Sequence, residues 1–504
     1  MKKVIIIGGG AAGLGAAFKI RRAAAEGHDV DCVLVEKNER LGGKLATDFI
    51  EDPEGGTYIV DGGSDAFILG KPAIARIAGL LGMTDEMTPA CEENKKTLIV
   101  KGDRLIEMPD GIMMFAPTKL VPMATTKLYS WPAKFRMALD LVLPRKVKWA
   151  EGETAQNHDE TLQSFVVRRM GRECLDRLAE PLVGGVHASD PTQMSLAATF
   201  PNFLEMEQKF GSLIRGMLDQ RKKNEAMKKK YPPKPGAKPR TFFNTFRLGM
   251  QQLTDGMADA VGRERIRTGV AVTGIEREDD GAWRVTLENG ESIEGDAVVV
   301  ATEAWCAEKL LRDVDVAVAD LIATIPCSSS ATVPLAFRSE DFPPDRKWFG
   351  ILSPIVENRP LLAVTLSSSK WPGRTPEGRV LLRGFVGGPR NQHLLDEATD
   401  AELIESVRQQ IVELLGMRPD AQPVFAKVYR WIGGMPQYTL HHLDRVDEIE
   451  RLVGEVPGLG LAGGAYRGVG IPNCIESGER AVTKVFGEWG IDLAENHTGE
   501  KRVY

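Results

Sequence analysis

Val4-Ile5-Ile6-Ile7-Gly8-Gly9-Gly10-Ala11-Ala12-Gly13 is the stretch that decides the fold. Four consecutive β-branched residues suit a parallel strand buried on both faces, and the glycines that follow are spaced for a nucleotide loop. In such a loop Gly8 makes the tight turn, Gly10 lets the backbone approach a pyrophosphate, and Gly13 lets a helix pack closely on the strand. A helix beginning near Ala11 then points its N-terminal amides, with Gly9 and Ala12 beside them, at the phosphates. A second strand, Asp31-Cys32-Val33-Leu34-Val35, ends in Glu36, whose carboxylate can accept hydrogen bonds from ribose hydroxyls. The result is an α/β unit of Rossmann type, and the acid at its end selects an unphosphorylated ribose, so the ligand is FAD or NAD rather than NADP.

Working outward, 504 residues with 43% hydrophobic and 27% charged side chains give enough core for two or three compact regions. The formal net charge of -6 argues against nucleic acid as a partner, since phosphates call for a basic face. Six cysteines without a CxxC pair suit a reducing cytoplasm better than a disulfide framework or a zinc site, so no metal is expected. Lys2-Lys3 and the apolar run to Phe18 resemble a secretory signal, but a signal has no use for glycines spaced between a strand and a helix. No other apolar run reaches the ~20 residues needed to span a bilayer, which leaves a peripheral membrane contact open. Arg221 to Arg240 is basic, contains Pro232-Pro233 and lacks hydrophobic periodicity, which reads as a surface loop, with an anionic membrane as the alternative contact.

Glu36-Lys37-Asn38-Glu39-Arg40-Leu41-Gly42-Gly43-Lys44 resembles the E-x-x-x-x-x-G-G-R/K extension of the FAD-dependent amine oxidase superfamily. The resemblance implies FAD, with Lys37 and Lys44 among its contacts; a lysine there supplies positive charge to phosphate oxygens. Asp61-Gly62-Gly63-Ser64 is similar to the superfamily's element along the flavin, which implicates Gly63, Ser64, Asp65 and Ala66. Ile266 to Ile275 resembles the strand whose valine backbone meets the adenine, and the spacing to Ile275 selects Val272. Leu459 to Gly464 reads as a strand entering a glycine turn, followed by Val469-Gly470-Ile471 and a helix from Asn473 through Val482. Gly464, Val469, Gly470 and Ile471 are then placed to stabilise negative charge on the reduced flavin.

Glu180-Pro181-Leu182-Val183-Gly184-Gly185-Val186-His187-Ala188-Ser189-Asp190-Pro191, with Pro436-Gln437-Tyr438 and Asn473 to Gly478, resembles the protoporphyrinogen/coproporphyrinogen oxidase family over essentially the whole chain. Met108 to Lys119 is similar to the Bacillus-type coproporphyrinogen oxidases, and Met113 stands where mitochondrial-type protoporphyrinogen oxidases carry a propionate-binding arginine. Lys71 matches a lysine of the Bacillus-type branch and is the candidate partner of a substrate carboxylate, although a solvated lysine at a helix start reads nearly as well. His441 departs from the family, which usually has glycine before the histidine at His442. The resemblance implies oxidation of coproporphyrinogen III to coproporphyrin III, six electrons passing through FAD to O2 in three rounds with hydrogen peroxide as by-product, in the cytoplasm. It also implies a downstream ferrochelatase as partner. Protoporphyrinogen IX is the rival substrate. Another amine oxidase-like flavoenzyme, or a flavin-free binding protein like the GTPase dissociation inhibitors, are the readings from other classes. The cofactor supplies the difficult chemistry, so no catalytic side chain is assigned, and His187, His441 and His442 read as structural.

Segments so far apart require an FAD domain assembled from 1–84, 246–309 and 441–504. A helical cap and substrate region occupies 85–245, and a β-rich substrate-binding domain, with runs such as Ala331 to Phe337 and Val380 to Val386, occupies 310–440.

Overall fold

Lys2–Ile7 (β1) is the central strand of a five-stranded parallel sheet that it forms with Val30–Val35 (β2), Ile266–Arg267 (β3), Ala297–Val300 (β4) and Leu459–Leu461 (β5), in the order β3-β2-β1-β4-β5. The computed structural model describes residues 1–230 and 241–492, except for the side chains of Leu120, residues 184–187 and Lys228. Val4, Ile5 and Ile6 have no exposed surface, because helices or a second sheet cover both faces of β1. The strand order reverses between β1 and β4, which is where open α/β sheets place a ligand, beyond the carboxyl ends of the strands.

One face of this sheet carries the first helix (Ala11–Ala25), the helix Gln251–Val261 and the C-terminal helix Ile471–Glu488. The first and last of these meet backbone to backbone: a Cβ at Gly478 would lie 1.9 Å from the Ala12 carbonyl oxygen. The first helix is equally tight on the strand loop, since a Cβ at Gly13 would lie 1.9 Å from the Gly8 carbonyl oxygen. The other face packs against the antiparallel sheet Val272–Arg277, Trp283–Leu287, Ser292–Gly295 and against His442–Glu455. Ile266 to Ile275, expected as one strand, is therefore two strands in different sheets, with a turn at Gly269 (φ +72°) between them.

The second large sheet is built on Cys327–Arg338, Arg379–Gly387 and Leu361–Leu366, and the helix Asp400–Leu415 seals one of its faces. Thr97–Lys101 and Arg104–Glu107, assigned to the helical segment 85–245, instead extend this sheet through Gly350–Leu352. Phe243–Phe246 likewise pairs with Phe67–Ile68 and Met87–Pro89. The rest of that segment is largely helical around its own core, pinned by the fully buried pair Asp140–Arg169 at 2.5 Å.

Arg221 to Lys230 also departs from expectation, being the end of the helix Leu213–Lys230; residues 231–240 lie outside the described residues. Unbranched Lys, Gln, Glu, Met and Ala favour helix without an apolar face, and i,i+4 pairs Asp219–Lys223 and Arg221–Glu225 support it.

His441 adopts the left-handed conformation, φ +63° and ψ +21°, immediately before the helix His442–Glu455. This is why a glycine suits the position: a side chain there costs roughly 1–2 kcal/mol, against about 0.5–1 kcal/mol of extra chain entropy for glycine. The exposed contact of the His441 ring with Asp444, 3.1 Å, adds little. His441→Gly should therefore raise the thermal unfolding midpoint, and a clear fall would show that the ring contact outweighs the strain.

Candidate active site

Gly8 follows β1 at the strand-order reversal, and the first helix starts two residues after Gly9 with no side-chain cap on its amides. A Cβ at Gly10 would meet no protein atom within 4 Å, so the backbone there borders open space next to an uncapped helix N-terminus. That combination is what a pyrophosphate requires. Glu36 is 8% exposed, and its carboxylate accepts from the Gly9 N–H at 2.7 Å and from the Asn38 N–H at 2.9 Å. Donors from the loop before it and the turn after it thus fix the acid at the loop, with further lone pairs for a ribose.

The Gly42-Gly43 extension returns to the same place. The Gly42 N–H donates to the Gly9 carbonyl at 2.8 Å, and Arg40 donates to the carbonyls of Leu41, Gly43 and Leu45, holding the turn from inside. Arg40 was not singled out from the sequence, because a charged loop residue gives no sign of which carbonyls it will gather. Lys44 pairs with Glu303 at 3.2 Å, and Lys37 lies 5.4 Å from the Trp305 ring centroid. Burial raises the Glu303 pKa, but Lys44 and Lys37 outweigh it and hold the carboxyl below its ordinary value. Val272 begins its strand just beyond the Gly269–Val270 turn, whose amides donate to the carbonyls of Asn38 and Glu36.

Gly63 rests on the Lys44 carbonyl so closely that a Cβ would come within 1.9 Å of its oxygen. The Gly62 carbonyl accepts from Thr332 and from the Trp431 indole, and the Gly63 carbonyl accepts from Arg383. Asp65 is bound by Lys370 and Arg383, each at 3.3 Å, and by the Trp371 indole at 3.0 Å. Burial raises its pKa, yet the two cations outweigh it and keep the carboxyl far below the usual carboxylate range. The Asp65 side chain thus ties the Gly63–Ala66 loop to the second sheet, and it is the backbone of the loop that remains for a ligand. Ser64 is exposed and Ala66 half-buried beside it.

The C-terminal glycine turn completes the arrangement. Gly470 precedes the helix Ile471–Glu488 without a side-chain cap, and Lys71 donates to Asn473 in its first turn. Lys71 thereby joins residues 402 positions apart and puts a cation at the amide end of that helix. Burial of the ammonium lowers its pKa, with Glu476 opposing. Tyr438 donates to the Gly464 carbonyl and accepts from the Gly468 N–H, both at 2.6 Å, and its ring stacks on His442 at 3.8 Å. His442 donates through Nε2 to the Tyr466 carbonyl at 2.8 Å, and burial pushes its pKa down to about 4, so it is a neutral clamp on this turn. The His441 ring is exposed, and the His187 side chain lies outside the described residues.

The family model for flavin-containing amine oxidoreductases matches residues 11–486. Coproporphyrinogen III oxidase of Bacillus subtilis is 30% identical over 484 residues, 96% of this chain and 97% of that one. The chloroplastic protoporphyrinogen oxidase of Nicotiana tabacum is 27% identical over 469 residues, covering 90% and 81%. A crystal structure from Exiguobacterium sp. 255-15 superposes with a TM-score of 0.81 at 27% identity, covering 97% of this chain and 99% of that chain. The uncapped helix, the space at Gly10 and the anchored Glu36 fit a dinucleotide, and the match begins at that helix and runs on through the later segments. The chain belongs to the flavin-containing amine oxidoreductase family, and its cofactor is FAD.

Proposed function

We propose that this protein oxidises coproporphyrinogen III to coproporphyrin III, consuming three O2 and releasing three H2O2 per porphyrin, as a cytoplasmic step of haem synthesis upstream of a ferrochelatase. The observation that carries the reading is the end-to-end similarity to the coproporphyrinogen III oxidase of Bacillus subtilis. Met113 in place of a propionate-binding arginine, and Lys71 at the helix that faces the cofactor, support coproporphyrinogen over protoporphyrinogen IX. Bound FAD supplies two-electron acceptance and passes the electrons to O2.

The protein's own residues hold and polarise. The Gly8–Gly13 loop and the first helix bind the pyrophosphate, Lys37 and Lys44 add positive charge beside it, Glu36 takes the ribose, and the backbone at Val272 meets the adenine. The Gly63–Ala66 backbone lines the ring system. Gly464, Val469, Gly470 and Ile471 present the amide end of the last helix, with Lys71 beside it, to charge that develops on reduction. A porphyrinogen must then lie with a bridge carbon against the ring, and positioning is the protein's main contribution.

Comparing kcat/KM for the two porphyrinogens tests the assignment: coproporphyrinogen III should be preferred, and a clear preference for the dicarboxylate protoporphyrinogen IX would overturn it. Lys71→Ala should reduce kcat/KM for the tetracarboxylate by about 10-fold or more, the scale of one charge-assisted hydrogen bond, and reduce it less for the dicarboxylate. Equal losses would remove Lys71 from substrate recognition.

A second feature bears on where the enzyme works. Among the described residues no helix is long and apolar enough to cross a membrane. Trp131, Phe135, Leu139 and Val142 nevertheless stand exposed along one side of the short helix Trp131–Ala138 and its continuation. Residues 119–149 carry seven Lys or Arg and one acid, Asp140, which is buried against Arg169. Lys134 sits 4.6 Å from the Trp131 ring centroid. An apolar ridge in a basic surround complements an anionic lipid surface, so we propose peripheral docking through this ridge. The protein should co-sediment with phosphatidylglycerol vesicles, and Trp131→Ser with Phe135→Ser should abolish this; wild-type protein left in the supernatant would refute it.

A further inference from the structure

A cavity of about 410 Å³ opens where three segments meet: the Glu180–His187 helix with the residues after it, the loop 353–362, and the loop 387–394 that follows the strand Arg379–Gly387. No cofactor residue lines it. Its walls combine apolar Leu362 with Arg359, Arg390 and His393, and its lining includes three buried polar residues, Glu180, Ser189 and Ser353. Ser353 is 4% exposed, and its hydroxyl has no hydrogen-bond partner among the described residues. A buried hydroxyl without a partner is costly, and one lining a cavity is satisfied when the cavity is filled by a polar ligand.

The charges indicate which ligand. Arg359 already bonds Glu413 at 2.8 Å, and nearby Glu357 is taken by Arg177 and by the Gly102 N–H. Arg390, which lines the cavity, is held only loosely, 3.7 Å from Asp190, and its half-exposed guanidinium has donors to spare for a ligand. Glu180 accepts the Ile355 N–H at 3.0 Å. Hydrogen bonds link the cavity towards the cofactor region: Gly388 donates to the Ser329 carbonyl, and the Ser329 hydroxyl accepts from the Gly433 N–H. Two residues from Gly433, Trp431 donates to Gly62. Along the strand Arg379–Gly387, Arg383 meets the Gly63 carbonyl, and Gly387 follows about 13 Å further on at 3.3 Å per residue.

We propose that this cavity is a carboxylate-binding subsite, taking one alkyl carboxylate with its head against Arg390 and the Ser353 hydroxyl and its methylenes along Leu362. On the proposed function, on which this identification of the occupant rests, that carboxylate is a propionate arm of a porphyrinogen lying over the Gly63–Ala66 loop. A free short-chain acid presents the same chemistry.

The subsite has a built-in pH dependence. Burial pushes the Glu180 carboxyl up to about 7, with Arg390 opposing and Asp176 and Asp190 reinforcing. Protonated, it donates to a bound carboxylate; ionised, it repels one. Since the raised value belongs to an acid, the favourable protonated form prevails below about pH 7 and is lost above it. His393 lines the same cavity, and Glu180→Gln isolates the contribution of Glu180.

The test measures KM for coproporphyrinogen III on the FAD-loaded enzyme, together with the thermal shift given by butyrate, for wild type, Arg390→Met and Glu180→Gln. Retained flavin absorbance reports folding. Arg390→Met should raise KM by about 10-fold, the loss expected for one charge-assisted hydrogen bond. Between about pH 6 and about pH 8 the wild-type KM should rise, and Glu180→Gln should flatten that rise. If KM is unmoved while butyrate stabilises wild type and not Arg390→Met, the subsite stands with a free acid as its occupant. If KM is unmoved and butyrate gives no shift, or the same shift in Arg390→Met, the proposal falls. Should the enzyme turn over no porphyrinogen, the proposed function fails by itself and the butyrate comparison alone decides the subsite.

Discussion

A methyl group on Gly478 would stand 1.9 Å from the Ala12 carbonyl oxygen, and one on Gly15 would stand 2.8 Å from that of Ile475. The first helix and the C-terminal helix therefore touch through their backbones at a distance no side chain permits. Each runs from an uncapped N-terminus at the carboxyl end of the parallel sheet, one after Gly10 and the other after Gly470. Their contact joins two helices whose amide ends lie more than 450 residues apart in the chain, one of which we propose for a pyrophosphate and the other for the ring that takes up electrons. Every other part of the site is hung on this pair.

The second sheet reaches the crevice through charge and hydrogen bonds. Arg383 and Lys370 bind Asp65, while Thr332 and Trp431 hold the Gly62 carbonyl, so the loop proposed to line the ring is fastened at both ends to strands of the other sheet. Buried ions of this kind are costly to break singly, which makes the loop a rigid wall. On the third side, the Tyr438–His442 stack fixes the turn from Gly464 to Gly468. A site that must hold a macrocycle against a planar cofactor has use for such stiffness, since misplacement of the reacting atoms lowers the rate steeply.

Much of the crevice was legible in the sequence because its chemistry is local. The strand, the glycine spacing and Glu36 lie within 33 residues, and each glycine has a backbone reason that no other residue meets. Likeness to a known family supplied the distant pieces, Gly63 and Gly470 among them. What escaped was set by pairings with no local trace. Thr97–Lys101 joins its sheet by bonding to Gly350–Leu352, about 250 residues away, and nothing in a short alternating run tells which edge it will meet. Arg383 and Lys370 read as ordinary strand and helix residues until the fold sets them against Asp65. The turn at His441 was legible only as a departure, and the left-handed backbone there supplies its reason. Arg221 to Lys230 has no apolar face to mark a helix in the sequence, yet helix propensity and i,i+4 pairs prevail there.

Backbone contact between the first and last helices is proposed to create the cofactor site. The most direct measurement is the FAD content of purified Gly478→Ala beside Gly487→Ala, a position on the same helix where a Cβ would meet nothing within 4 Å. Gly478→Ala should lose bound flavin while Gly487→Ala keeps the wild-type amount. A full complement of flavin in Gly478→Ala would contradict the account.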